Sequence, residues 1–562
     1  MPIINETLAC LATRIIETFN TWQQQRSGLL HIWQQCWDAY LCHEDGISDR
    51  LNQRSRLVRP VLFECVEAIH AHIMTSLFPA NEPFFSVNSK TSPTNASNVS
   101  VAADGQDPAK TIEQLMRSQL DAMAFREQFA LFLKQAIVTG NSIAAIPWVH
   151  ETQTVRQREA IHVLGVPVSE HVIEVEKTIR QGAGFDVLDM ADVVSDPNTA
   201  QFGDGWIIRR TRRRLSDLQV SGLYEHLDGV ENWVSSQSSK KSSKLLGQMP
   251  VSESPMLTVL ECWGDFDHDG KHYSNHVCTV IVSPSESTGG KTLGRVIRLE
   301  PNPYYHGRKP FIFSSFIPVP NEIYGLSPIE KCLGLQQAIN TLTNQKLDVI
   351  NISINNPFTY LINDDVFDPD TVVTSPGALI PVKSHETLRP IQYLNNYTVA
   401  FQEIADLKQE VEESTGAFKL LKGGSQAAEM LASRTATEVT AMVEGGAQKL
   451  TSILAHFENR VLQPYLDLVL ALMRQFASID LPDMQALSAE CCFEITGRSA
   501  AISKQQELEG LLSFLKLVQQ DADIRKNVNV NQLYRRIYRR LGLSDESGVF
   551  EVIDNPSGDA TL

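Results

Sequence analysis

Apolar residues recur at helical spacing through the first 140 positions and again from residue 328 onward, with a β-patterned stretch between. Residues 4–42 place Phe19, Trp22, Trp33, Trp37 and Tyr40 at helical intervals, predicting one or two helices with an aromatic core face. Arg59-Pro60 opens a further helix with Leu62, Val66, Ile69 and Ile73 on one side, closed at Phe78-Pro79. The polar stretch 92–108 reads as a loop, and residues 111–138 as one helix stopped by Gly140. From Ile143 to Phe316 short β-branched runs alternate with turn residues, as at 172–175, 206–208, 258–260, 277–282 and 296–299, which predicts strands. Within that region, 235–243 is a Ser-rich flexible insert.

Two long helical patterns follow. Ser327-Pro328-Ile329-Glu330 combines a capping Ser, a Pro at the first helical position and a Glu three residues after the cap. Leu335, Ile339, Leu342, Val349 and Ile350 continue the apolar face. A neutral polar stripe of Gln337, Asn340, Asn344, Asn351 and Asn355 runs beside it. Asn355-Asn356-Pro357 ends the pattern, predicting a rod of roughly 39 Å at ~1.5 Å per residue. The second helix begins near Val399 with Phe401, Ile404, Leu407 and Val411 as its apolar face, and stops at Thr415-Gly416. Glu403, Asp406, Glu410 and Glu413 fall three, four and three residues apart and form one acidic stripe. Acidic groups near a helix C-terminus oppose its dipole, so helix stability does not explain them. Two readings stand: a solvated face, or a surface that meets another negative body without gripping it.

Composition narrows the function classes. The chain has 562 residues, too many for one ordinary core, and 43% are hydrophobic, which argues against disorder. The net charge of −17 argues against a protein whose task is to clamp nucleic acid. No apolar run is long enough for a membrane span, no basic segment opens a secretion signal, and nine scattered cysteines suit reduced thiols. Candidate chemistry fails on inspection. Asp265 to Gly270 matches the opening of a calcium loop, but its twelfth position is His276 and its flanks read as strands. Thr288-Gly289-Gly290-Lys291-Thr292 lacks the first glycine of a phosphate loop and precedes a strand. Ser327 lacks the last glycine of a nucleophile elbow, and Cys36, Cys42 and His43 lack zinc spacing. No catalytic, cofactor or metal constellation is expected.

Tyr324 to Pro328, the paired helices, the insert 357–396, the loop 416–433 and Arg434-Thr435-Ala436-Thr437-Glu438-Val439 resemble, in this order, the portal (head-to-tail connector) proteins of tailed bacteriophages, the short-tailed type above all. Leu77-Phe78-Pro79 and the stretch from Asn302-Pro303 to Phe311 share the likeness. The resemblance implies a mainly α fold with a mixed α/β wing, assembled as a ring of about twelve subunits. It places a wing at 1–327, stem helices at 328–355 and 399–415, a clip at 356–398 and a tunnel loop at 416–434. A long helix would return to the wing over 435–500, with a capping box at Thr435 and Glu438, a weak point at Gly445-Gly446 and a kink at Pro464. A helical crown would follow at 501–545, then a flexible acidic tail at 546–562.

The implied function is a DNA channel at one capsid vertex of the virion, assembled in the host cytoplasm. Its implied partners are genomic double-stranded DNA, the major capsid protein, terminase, the tail adaptor and internal core or ejection proteins, with no membrane. Glu403, Asp406, Glu410 and Glu413 become candidates to face the channel. Lys419 and Lys422 could touch phosphate or neutralise neighbouring carboxylates. Arg535, Arg536, Arg539 and Arg540, interleaved with Tyr534 and Tyr538, could meet packaged DNA or tie crown subunits together. The run Arg209 to Arg214 reads as a solvated or intersubunit face following a strand, with DNA contact as the alternative. Competing classes are a nucleotide-using packaging-motor component and a scaffolding or tail-tube protein.

Overall fold

The computed structural model describes residues 2–43, 55–79, 83–89, 108–163, 166–230, 241–243, 247–249, 256–268, 270–286, 292–354, 358–360, 388–390, 397–416, 450–477 and 491–495. The chain divides into two units, one built from Met1–Ile73 and Ser100–Ala489, the other from Met74–Val99 and Glu490–Leu562.

In the larger unit, helices α1 (Pro2–Gln25) and α2 (Ser27–Tyr40) split the expected aromatic stretch in two. Arg26 marks the break. Arg26 is 6% exposed, and its guanidinium donates to the carbonyls of Val193 (2.6 Å) and Ala191 (3.1 Å) at the bend. Helix α3 (Val61–Leu77) follows Pro60 and crosses into the second unit. There β1 (Phe85–Ser89) pairs antiparallel with Cys491–Ile495, and Phe85 meets Phe493 edge-on at 6.3 Å.

The single helix expected over 111–138 is two: α4 (Pro108–Ala122) and α5 (Phe125–Thr139). Ala124 between them is left-handed at φ 51°, a break that no Gly or Pro announces. The break turns Phe125 onto Tyr465, with rings stacked at 4.4 Å, and against Phe185.

The β region follows as β2 (Asn141–Ala145), β3 (Trp148–Val163), β4 (Val166–Ala183), β5 (Asp186–Leu188), β6 (Val193–Ser195) and β7 (Ile207–Arg213). The short helix α6 (Leu215–Val220) comes next, then β8 (Lys241–Ser243), β9 (Gly247–Met249), β10 (Leu257–His268), β11 (Lys271–Glu286), β12 (Thr292–Pro301) and β13 (Phe311–Ser315). Its main sheet has the order β12-β11-β10-β7-β6 and buries one face under α1, where Ile15, Ile16 and Phe19 pack on Ile208, Leu260, Cys262 and Val280. A second sheet is ordered β13-β2-β5. Strands β3 and β4 form a separate two-stranded ribbon far longer than the 172–175 strand the pattern suggested. The basic run does not follow a strand but forms β7 itself. Arg210 there pairs with Asp192 at 2.6 Å, while Arg212 and Arg213 are exposed.

Two long helices complete this unit. They are α7 (Pro328–Ile354) and α8 (Tyr397–Thr415), separated in sequence by the pair β14 (Phe358–Tyr360) and β15 (Leu388–Pro390). Helical residues 450–457 run through a π-turn at Glu458–Leu462 into α9 (Gln463–Phe476). Pro464 is the cause: it has no N–H, and its ring would strike the carbonyl four residues back, so the preceding turn widens. The expected kink therefore takes the form of a π-turn. The last strand is β16 (Cys491–Ile495).

Candidate functional site

Ser327 caps α7 as its sequence suggests. The Ile329 N–H donates to Ser327 Oγ (3.0 Å), and that hydroxyl donates to the Ile137 carbonyl (2.8 Å). The residues just before the cap are tied into a knot. Asn141, fully buried, uses its carboxamide like a peptide group: Gly325 N–H donates to Asn141 Oδ1 (2.8 Å), and Asn141 Nδ2 donates back to the Gly325 carbonyl (3.0 Å). Gly140 is left-handed at φ 78°, and a Cβ there would lie 2.5 Å from Leu326 C and Ser327 N. The chain can pass only because both 140 and 325 are glycine; a Cβ at 325 would run into the Ile317 carbonyl.

Along α7 the polar stripe has a partner that its own pattern does not reveal. Residues 55–60 lie extended against it and run antiparallel to the helix. Ser55 N–H donates to Asp348 Oδ1 (2.6 Å), Leu57 to Asn344 Oδ1 (2.7 Å), Arg59 to Asn340 Oδ1 (3.0 Å) and Leu62 to Gln336 Oε1 (3.3 Å). In return Asn344 Nδ2 donates to the Leu57 carbonyl (3.1 Å), and Gln336 Nε2 to that of Arg59 (2.7 Å). The match is geometric. Two extended residues advance about 6.6 Å and four helical residues about 6.0 Å, so alternate amides meet every fourth side chain. Gln336 and Asp348 are rungs that the expected stripe omitted.

The other long side of α7 receives α8. Ile404 and Val411 are buried, Leu407 is half-buried, and Thr415 Oγ1 donates to the Val411 carbonyl (2.8 Å). Lys346 sits over the Phe401 ring at 3.9 Å, and burial, then Cys65, then Glu410 push the Cys332 thiol up to about 11, so Glu410 lies near Cys332 and the helices run antiparallel. Phe401 departs from expectation: it is 54% exposed. It lies on the flank of α8, where the Lys346 ammonium rather than a core covers its face.

Glu403, Asp406, Glu410 and Glu413 are all exposed on the side of α8 turned away from the buried ridge. Gln409 Nε2 donates to Glu413 Oε1 (2.8 Å), and Glu403, Asp406 and Glu410 have no basic side chain within ion-pair distance among the described residues. The helix pair thus presents an exposed acidic surface on a frame fixed by apolar contacts and amide rungs. Lys419, Lys422, Arg535, Arg536, Arg539 and Arg540 lie outside the described residues, as do the expected tunnel loop after Gly416, nearly all of the expected clip and the whole of the expected crown.

Of the rejected motifs, Asp265 and Asp267 sit on a hairpin of β10 and β11. The Asp265 carboxylate accepts from Asn275 N (2.7 Å) and Ser274 Oγ (3.2 Å), and Asp267 lies 2.7 Å from His272. The Gly289-Gly290 segment joins β11 to β12, so strands flank it on both sides. All nine cysteines are free thiols. Cys262 and Cys278 face one another across β10 and β11, and burial pushes Cys278 up to about 12. Among the described residues no helix is long and apolar enough to cross a membrane.

A family model described as the phage SU10 portal protein matches residues 24–557. A search of curated proteins finds no match.

Proposed function

The chain belongs to the SU10-type family of phage portal proteins, a structural class without enzymatic activity, and on that premise we propose that its α7–α8 pair walls a channel for double-stranded DNA at one vertex of the capsid. The observation that carries this reading is the exposed stripe Glu403, Asp406, Glu410 and Glu413 on a helix whose opposite ridge is buried. DNA attraction grows steeply with the number of basic contacts, so a wall that must let the polymer slide benefits from carrying the polymer's own sign. The pair corresponds to the stem of a ring of about twelve subunits. The segment between its helices would be the clip, which meets terminase and later the tail adaptor, and the segment after α8 the tunnel loop, with Lys419 and Lys422 its candidate phosphate contacts. The C-terminal region would form the crown, its four arginines turned toward packaged DNA. The capsid protein and internal core proteins complete the partner set.

The test reverses charge on the stripe. Glu403→Lys with Asp406→Lys should leave rings intact by native mass spectrometry yet slow DNA packaging and ejection, with the defect shrinking as salt rises. Intact rings that pass DNA at the normal rate at every salt concentration would return the stripe to a solvated face.

A further inference from the structure

The ribbon of β3 and β4 is tied down at its root alone. There Trp148 stacks on Phe476 at 5.7 Å, Gln181 Nε2 donates to the Phe476 carbonyl (3.4 Å) and Arg180 donates to that of Met123 (3.0 Å). Between Glu151 and Thr152 the register slips, which leaves Ile179 as the extra residue of a bulge, 61% exposed. A bulge bends the strand that carries it, and this one marks where the ribbon parts from its supports. Residues 150–156 and 174–179 are exposed at every position, so both faces of the ribbon meet solvent there. Val155 and Val175, directly opposite one another, are among the exposed residues.

A sheet of this kind is incomplete. Antiparallel sheets ordinarily pack one face on a core, and two strands alone are marginal in water. Among the described residues no third strand joins β3 and β4. Beyond the bulge, ten pairs nevertheless run in unbroken register from Thr152↔Thr178 to Ile161↔Ser169, about 33 Å of ladder. Alternate residues of each strand turn N–H and C=O outward, which leaves about ten unpaired groups along each edge. Proteins blunt open edges by keeping them short or by placing proline or charge on them. These edges are long, no proline falls within the ten pairs, and the charge is divided between the strands. Over 152–161 β3 has two Arg and one Glu, net +1, and over 169–178 β4 has three Glu and one Lys, net −2. That division disfavours β4 against β4 and favours β3 against β4.

We propose that the free edge of β4 in one copy of this chain pairs with the free edge of β3 in the next, so that the ribbons of successive copies join into one antiparallel collar. A second copy fits the edge because it brings a strand of complementary charge in the required direction. Since β3 and β4 run antiparallel, ribbons set side by side make every junction antiparallel as well. The contact is head-to-tail, the kind that closes into a ring, and closure removes the last open edge. The inference rests on the ring assembly proposed above.

Hydrogen exchange on the full-length chain, as free protomer and as assembled ring, tests the collar. The outward amides of 152–161 and 169–178 should exchange freely in the protomer and slow by about ten-fold or more in the ring. A photo-crosslinking benzoylphenylalanine in place of Val155 supplies the second readout, in rings assembled from mixed ordinary and nitrogen-15-labelled chains. Links between a light and a heavy chain are intersubunit, and they should map to 169–178. Rings in which these amides exchange as in the protomer, or whose intersubunit links fall on other segments, overturn the collar and leave the channel reading intact. Intersubunit links from position 155 to 152–161 would mean that like strands meet, and would overturn the pairing as stated. Failure of the unaltered chain to form rings overturns the assembly reading itself, and the collar with it.

Discussion

Asn141 and Asn344 do the same chemistry in different surroundings. Each offers its carboxamide to one residue's N–H and C=O, Asn141 to Gly325 and Asn344 to Leu57. Asn141 is fully buried, whereas the Asn344 contact lies at the surface, with Leu57 45% exposed. A hydrogen bond contributes little net when water can replace it and a great deal when its loss strands a buried group. The knot ahead of α7 is therefore a fixed joint, and the strap along α7 is a fastening that can open locally while the joint holds.

The largest effect expected from this contrast is that of Asn141→Ala. It leaves the Gly325 N–H and carbonyl buried without partners and should cost about 2–5 kcal/mol, read as a lower denaturant midpoint. A loss below about 1 kcal/mol would mean that water enters the knot and the two sites are alike. Asn344→Ala should cost about 0.5–1.5 kcal/mol, since Leu57 turns to solvent. Its sharper signature is hydrogen exchange: the Leu57 amide should quicken while the Gly325 amide stays protected, and parallel quickening of both would erase the distinction. The smallest effect is a control outside both sites. His70 bonds the Ala130 carbonyl through Nε2 (3.0 Å), with Lys134 and Glu67 as its charged neighbours. Burial first, then Lys134, lowers its pKa. The unfolded chain thus binds the proton more readily, and this contribution to stability is present above the ordinary histidine range and fades as pH falls through it. His70→Gln should flatten the melting temperature between pH 7 and 5, and an unchanged slope would assign the acid sensitivity to other groups.

Local signals served the helices well. Ser327-Pro328 and Thr415-Gly416 mark ends that the structure keeps to within a residue, and the three-and-four spacing of Glu403 to Glu413 carries through to a shared exposed face. The stripe of Asn340 and Asn344 was visible, but its occupant was not. The strap is gripped through its backbone, so no side-chain pattern in 55–60 betrays it. Ala124 shows another blind spot: a left-handed break without glycine or proline accompanies the packing of Phe125 on Tyr465, some 340 positions away, and helical periodicity runs straight through it. In the β3–β4 ribbon polar residues fall at both odd and even positions of 150–156 and 174–181, which hides the alternation that strands usually show.

The strap also sets a timetable for synthesis. Arg59 and its rung Asn340 are separated by 281 positions, and Ser55 and Asp348 by 293. At the usual pace of translation the strap leaves the ribosome about 15–60 s before its helix exists, and it must stay uncaptured while the whole sheet region is made. Its Arg56 and Arg59 give that waiting segment charge, a safeguard against pairing with other chains. Docking of 55–60 then becomes a late closure in folding, one that cannot occur until the chain has delivered α7.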